Sequence, residues 1–139
     1  MSKGIVGLGP DTRIAGRNCE RCVEMSEDNK PVLVYGTFPD RDTAISIAGE
    51  LVDGKLAACV NVLGAMTSIY NWEGKRHADT EVAALIKTRA GLIDTVVAHV
   101  RKLHPYDNPA LVALPVAGGS DIFLAWILTE TASQATGPA

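Results

Sequence analysis

Two cysteines near the start of the chain have the spacing that most directly suggests chemistry. Cys19 and Cys22 form a Cys-x-x-Cys pair flanked by Arg17 and Arg21. Two thiolates supply half of the ligands of a tetrahedral Zn²⁺ or Cu⁺ site, and neighbouring cationic side chains favour the thiolate form. The pair precedes the first segment with any structural periodicity, so the interpretation that we favour is an incidental metal-binding pair.

The third cysteine, Cys59, lies in an apolar segment between Ala58 and Val60. A free cysteine in such surroundings usually behaves as a small hydrophobic residue, and a functional thiol needs a nearby cation to lower its pKa. Cys59 and His104 could form a pair of nucleophile and general base, but neither has a recognisable catalytic sequence around it. A structural role for Cys59 is therefore the first prediction, with metal binding or nucleophilic catalysis as the alternatives.

The remaining candidates are six charged or aromatic residues: Tyr70, Trp72, Glu81, Lys87, Tyr106 and Trp126. Glu81 and Lys87 lie on one predicted strand an even number of residues apart, so their side chains share a face. If that face is buried between subunits, the two charges must be paired there, with each other or with a bound ligand. We favour a structural network at a subunit interface, and a ligand-binding cleft between subunits is the alternative.

The composition limits the kind of protein that can carry these residues. The chain has 139 residues, 47% hydrophobic and 21% charged, which predicts one domain with a packed core. A net charge of -3 without a Lys/Arg run argues against nucleic acid as the main partner. No apolar stretch approaches the roughly 20 residues that span a bilayer, and the N-terminal stretch lacks the long apolar region of a secretory signal. With an odd number of cysteines, these features predict a cytoplasmic protein that does not bind membranes.

The periodicity of the sequence predicts the elements that position the candidate residues. Residues 1 to about 30 have no helical or strand period and are predicted to be an irregular or flexible extension, and residues 133–139 a tail. Between them, in residues 31–132, strands are predicted at 32–38, 57–72, 80–88 and 110–116. Helices are predicted after a cap at Asp40 or Asp42 and ending at Gly54, at 89–103, and after a cap at Ser120. This order predicts an α+β fold, a ferredoxin-like βαββαβ sandwich with an additional C-terminal helix.

The second predicted strand is unusually long. Sixteen residues at about 3.3 Å each reach roughly 50 Å, which is more than a small sheet can pair. Gly64 interrupts the alternation and predicts a bulge. Part of the long β2–β3 hairpin must project beyond its own domain, and an unpaired apolar ribbon aggregates unless a partner covers it. We therefore expect neighbouring copies of the chain to pair with the hairpin and close a ring.

Five segments resemble the sequence blocks of a known family, in the same order and at compatible spacing. They are Leu56–Asn61, Ser68–Lys75, Thr80–Arg89, Leu103–Val116 and Phe123–Ile127. Through them, the region from about residue 32 to about residue 131 resembles the CutA divalent-cation-tolerance family. The resemblance implies a homotrimer with the architecture of PII-like signalling proteins, linked to tolerance of copper and other divalent cations. It implies a binding or signalling module and no settled enzymatic activity.

The same resemblance assigns His104 a role in copper binding. A neutral imidazole suits Cu(II); the alternative is that His104 ends a helix, close to the negative end of the helix dipole, and fixes the turn. The sequence departs from the family pattern at two positions. Gly36 stands where some members have a cysteine, and Ala110 stands where the family has an acidic residue, so two side chains that could bind metal are absent.

Three functions are compatible with these residues. We favour a trimer that responds to Cu(II), to another divalent cation or to a small effector. A hydrolase-type enzyme that uses the inter-subunit cleft is the second, but acyl-phosphate hydrolysis on this fold needs a phosphate loop lined by arginines, and the loop after the first strand contains Arg41 alone. The third is a structural scaffold for a partner protein.

Overall fold

The helices and strands occur in the predicted order. A computed structural model describes residues 27–132. The strands are β1 (Pro31–Phe38), β2 (Cys59–Trp72), β3 (Lys75–Arg89) and β4 (Leu111–Pro115), and the helices are α1 (Arg41–Asp53), α2 (Ile93–Leu103) and α3 (Asp121–Glu130). The Cys19/Cys22 pair, most of the predicted N-terminal extension and the predicted tail lie outside the described residues.

Capping residues fix the ends of the helices. Asp40 has an extended backbone, and its Oδ1 accepts a hydrogen bond from the Thr43 N–H at 2.8 Å. This bond satisfies one of the amide groups that a helix leaves free at its start. Gly54 follows the last residue of α1, and its N–H donates back into the last turn. Ser120 begins α3 by accepting a bond from the Phe123 N–H at 3.4 Å, so the predicted caps are confirmed.

The four strands form one antiparallel sheet in the order β2-β3-β1-β4. β1 and β3 are the two central strands, and β1 pairs with β3 over its whole length, from Pro31 opposite Arg89 to Phe38 opposite Val82. On its other side β1 pairs with β4. This strand order, with α1 and α2 as the crossovers, is the ferredoxin-like arrangement that the sequence predicts.

Helices α1 and α2 cover one face of the sheet. The core contains alternate residues of β1 and β3, such as Val34 and Ile86, together with Leu51 of α1 and Val100 of α2. Strand residues that point to one face recur every second position, and helix residues recur every three or four. The apolar spacing of the sequence predicts Leu51 and Val100 in the core correctly, but Ile45 and Val52 are exposed and Ile47 is buried in their place.

The C-terminal helix α3 covers part of the opposite face, which we call the open face. Lys87 and Arg89 alternate with the core residue Ile86 along β3, so their side chains point away from α1 and α2. There Arg89 donates from Nη2 to the Leu128 carbonyl at 3.0 Å and from Nε to the Thr131 hydroxyl at 3.1 Å. These bonds hold the end of α3 against the sheet.

The β2–β3 hairpin extends well beyond the end of β1. Phe38, the last residue of β1, lies opposite Val82. Beyond that point, Met66–Trp72 and Lys75–Glu81 pair with each other and, among the described residues, with no third strand. Seven residues per strand make an arm of roughly 23 Å. The prediction that this hairpin projects beyond its own domain is confirmed.

Two irregularities shape the arm. The pairing register shifts between Val62 and Ala65, which confirms the bulge predicted at Gly64. At the tip, Glu73 and Gly74 have φ of 52° and 80°, as in a two-residue type I′ turn, whose twist matches that of the flanking strands. β3 begins five residues earlier than predicted because pairing with β2 holds its polar start extended.

Candidate functional site

The candidate residues that the structure describes form two groups along β3. The hairpin-base cluster begins at Glu81 and Tyr106, where the arm leaves the domain, and continues along the arm to Asp79 and Tyr70. The Lys87 cluster lies at the other end of β3 and consists of Cys59, Asn61, Lys87 and Phe123. Trp72 belongs to neither group, because it pairs with Lys75 beside the turn.

Strand register and one loop residue build the hairpin-base cluster. The turn at the tip places Tyr70 opposite His77, and the two rings stack with centroids 5.4 Å apart. From this position the Tyr70 hydroxyl donates to Oδ2 of Asp79. Two residues further along the same face of β3, Glu81 accepts at Oε2 a hydrogen bond from the Tyr106 hydroxyl at 3.0 Å.

The environment of the cluster keeps both phenols protonated. Burial, followed by the hydrogen bond to Glu81, raises the pKa of Tyr106 to about 12. The hydrogen bond to Asp79 is the main cause that raises the pKa of Tyr70. At neutral pH both tyrosines are therefore hydrogen-bond donors, Tyr70 to Asp79 and Tyr106 to Glu81.

His104 is held on both of its ring nitrogens. The Tyr106 N–H donates to Nδ1 at 3.1 Å, so Nε2 carries the proton that it donates to the Thr37 carbonyl at 2.8 Å. The ring also stacks on Phe38, with centroids 5.1 Å apart. Within residues 27–132 no group of three or more His, Cys, Asp or Glu side chains is arranged to hold a metal ion. Copper binding by His104 stays a prediction, and it requires the loss of one of these two bonds.

The Lys87 cluster places a cation beside Cys59, which is the condition that the sequence analysis set for a functional thiol. Nζ of Lys87 lies 3.3 Å from Sγ of Cys59, which is its neighbour across the two strands, and it also donates to Oδ1 of Asn61. The same ammonium lies 6.0 Å from the centre of the Phe123 ring, which stacks against Trp126. Lys87 therefore joins the edge strand β2 to the helix α3.

The two clusters are too far apart to act together within one chain. Glu81 and Lys87 share a face of β3, as predicted, but six residues separate them, a distance of about 20 Å. They therefore contact different partners and not each other. His104 contacts the end of β1 near Phe38, roughly 15 Å along the sheet from Cys59, so one chain does not assemble these two residues as a nucleophile and its base.

Sequence reasoning missed Asp79 and Asn61. Asp79 and Glu81 are two residues apart on β3 and so point to the same face. A two-residue turn at Glu73 and Gly74 pairs Tyr70 with His77, and Asp79 is the next residue after His77 on that face. A β3 strand predicted to start at Thr80 left Asp79 out of the strand. Asn61 lies two residues after Cys59 on the same face, a signal that was available.

The sheet order and the long arm define the chain as a ferredoxin-like α+β protein with an extended β2–β3 hairpin. The family model of the CutA1 divalent ion tolerance protein matches residues 32–130, and the chain belongs to this family. It is 42% identical over 112 residues to the chloroplastic CutA protein of Arabidopsis thaliana, covering 78% of this chain and 62% of that protein. It is 41% identical to the divalent-cation tolerance protein CutA of Thermus thermophilus, over 71% of this chain and 96% of the relative.

Solved structures agree with this assignment. The crystal structure of CutA1 from Oryza sativa superimposes with a TM-score of 0.71 at 40% identity, covering 73% of this chain and 93% of that one. The chain spans less than two thirds of the length of the plant relatives that it matches, 62% of the protein from Arabidopsis and 56% of the chloroplastic CutA 1 from rice. None of the helices among the described residues is long and apolar enough to cross a membrane.

Proposed function

We propose that the protein is a homotrimeric module for divalent-cation tolerance, in which the cleft between neighbouring copies binds Cu(II), another divalent cation or a small effector. The observation that carries the proposal is the projecting arm. Ile69 is 68% exposed and Trp72 is 53% exposed, although both are large apolar side chains on a strand. Such a ribbon is stable in solution when a partner covers it. A cytoplasmic location stays a prediction.

The edges of the sheet favour a ring as the form of the assembly. The outer edges of β2 and β4 have no strand partner among the described residues. Two different edges on opposite sides of a subunit make a head-to-tail contact, and such contacts form a closed ring when the rotation between copies permits. Val112 of β4 and Ile122 of α3 are also exposed and apolar, so a ring would bury them as well.

The two clusters supply the chemistry of a binding cleft. The hairpin-base cluster offers carboxylate acceptors and phenol donors, and the Lys87 cluster offers an ammonium group and a thiol. Because about 20 Å separates the clusters in one chain, a compact site that uses both must combine residues of two copies. No observation on the single chain favours the hydrolase alternative, since Cys59 and His104 are not assembled.

Titration of the full chain with CuCl₂, ZnCl₂ and ATP in separate experiments tests the proposal. A ligand that binds only the folded trimer raises its melting temperature. The matched variant is Cys19→Ser with Cys22→Ser, which removes the N-terminal thiol pair and changes no residue of the domain at 31–132. A rise in melting temperature that persists in this variant supports a site in the domain. A rise that disappears with the two cysteines, or no rise with any ligand, contradicts the proposal.

A further inference from the structure

Glu81 carries a carboxylate that is almost completely removed from solvent and only partly hydrogen-bonded. The residue is 8% exposed. Among residues 27–132 its one hydrogen bond comes from the Tyr106 hydroxyl to Oε2, and no donor in that part of the chain reaches Oε1. A carboxylate has about four acceptor positions, and an ionised carboxylate is costly to bury without partners. The second oxygen can therefore accept a hydrogen bond from a donor outside residues 27–132.

The charge around Glu81 is also uncompensated. Asp79 lies two residues away on the same face of β3 and adds a second carboxylate, while Tyr70 and Tyr106 supply only neutral hydroxyls. The ion pairs that the described part of the chain contains join Glu27 to Lys30, Glu130 to Lys55 and Glu50 to His99. None of them includes Asp79 or Glu81, so within residues 27–132 neither carboxylate is in an ion pair.

We propose that the hairpin-base cluster binds an ammonium or guanidinium group, which donates a charge-assisted hydrogen bond to Oε1 of Glu81. Nitrogen cations form short, directed bonds to carboxylates. They are also attracted to aromatic faces such as those of Tyr70 and Tyr106. A metal ion fits less well, because the described residues hold no group of three acidic, histidine or cysteine ligands.

Two sources can supply this group, and the first rests on the proposed function. A lysine or arginine of a second copy would reach Glu81 when the arm is covered in the trimer. A free organic cation, such as a polyamine, would enter from solvent. The same chemistry serves both, and two measurements on the full chain distinguish them.

The test compares the wild type with Glu81→Gln, which removes the charge but keeps an oxygen that accepts the Tyr106 bond. The control is Asp53→Asn, which removes an exposed carboxylate at the far end of α1. The first measurement is the dissociation constant of the assembly by sedimentation velocity over a dilution series. The second is the melting temperature with spermidine, argininamide or MgCl₂ against NaCl at matched ionic strength.

A cation from the second copy predicts that Glu81→Gln raises the dissociation constant at least about tenfold, while Asp53→Asn leaves it at the wild-type value. A free cation predicts unchanged assembly, with a rise in melting temperature in spermidine or argininamide that Glu81→Gln loses and Asp53→Asn keeps. The proposal is overturned if Glu81→Gln matches the wild type in both measurements, or if only MgCl₂ gives a Glu81-dependent rise.

The two proposals fail separately. A monomeric wild type contradicts the trimer, while the melting measurements still decide whether Glu81 binds an organic cation. Circular dichroism shows whether Glu81→Gln folds. If it does not, Glu81→Asp, which keeps the charge but withdraws it by one methylene, replaces it in both measurements. Wild-type values for that variant in both measurements also overturn the inference.

Discussion

Replacing Ile69 with serine is the perturbation that separates the arm's role in assembly from its role in folding. Ile69 lies near the tip of the arm and is 68% exposed in one chain, so Ile69→Ser removes little buried surface from the monomer. Full burial of an isoleucine side chain contributes about 1.5–3 kcal/mol. Burial of the exposed two thirds by a neighbour therefore contributes about 1–2 kcal/mol per interface, which is roughly a 5- to 30-fold change in the dissociation constant.

Sedimentation velocity over a dilution series measures this change. The matched control is Ile45→Ser on the solvent side of α1, where Ile45 is 46% exposed. We expect Ile69→Ser to shift the assembly towards monomer and Ile45→Ser to leave it unchanged. Equal dissociation constants for the wild type and both variants would refute the role assigned to the arm.

Three further predictions concern the fold and the cluster. Asp40→Ala should lower the free energy of unfolding at neutral pH. The Thr43 N–H holds the pKa of Asp40 below its ordinary value. In urea unfolding, the wild type should therefore be more stable than the variant above the ordinary carboxyl pKa, and this advantage should disappear as pH falls through the lowered pKa of Asp40. Arg89→Leu removes the charged donor to the Leu128 carbonyl, which keeps the Thr131 N–H, and leaves the Thr131 hydroxyl without the donor that it accepts from. It should lower the free energy of unfolding in urea by about 1–3 kcal/mol; wild-type stability would contradict the contact. In a tyrosinate absorbance titration, Tyr106→Phe should remove the tyrosine whose pKa is about 12. The free energy of unfolding of the wild type should fall as pH rises from the ordinary tyrosine pKa towards this raised pKa, because in that range Tyr106 ionises in the unfolded chain but not in the folded one. If the tyrosine that disappears in Tyr106→Phe has an ordinary pKa, the burial of Tyr106 is contradicted.

The sequence predicted the elements whose signals are local. Asp40, Gly54 and Ser120 end or begin helices because their side chains or backbones satisfy free helix termini. The apolar period of 31–132 placed the strands and residues such as Leu51 and Val100 in the core, although it missed the buried Ile47, and Gly64 marked the bulge. The resemblance of five segments identified the family that the comparison confirms.

The clusters could not be predicted because they depend on contacts between distant segments. α3 is apolar on every side, so its periodicity does not say which face of the sheet it covers. The place of Tyr106 beside Glu81 depends on the path of the loop after His104. The separation of Glu81 from Lys87 follows from strand geometry, but their different partners, Tyr106 for one and Asn61 for the other, follow only from the fold.

The mass of the full chain in solution shows whether copies of the same chain cover the arm. One chain has a mass of 14.7 kDa, so sedimentation equilibrium at micromolar concentration should give about 44 kDa, the mass of a closed ring of three copies. A single species with the mass of one chain, stable in solution with its arm uncovered, would contradict the account.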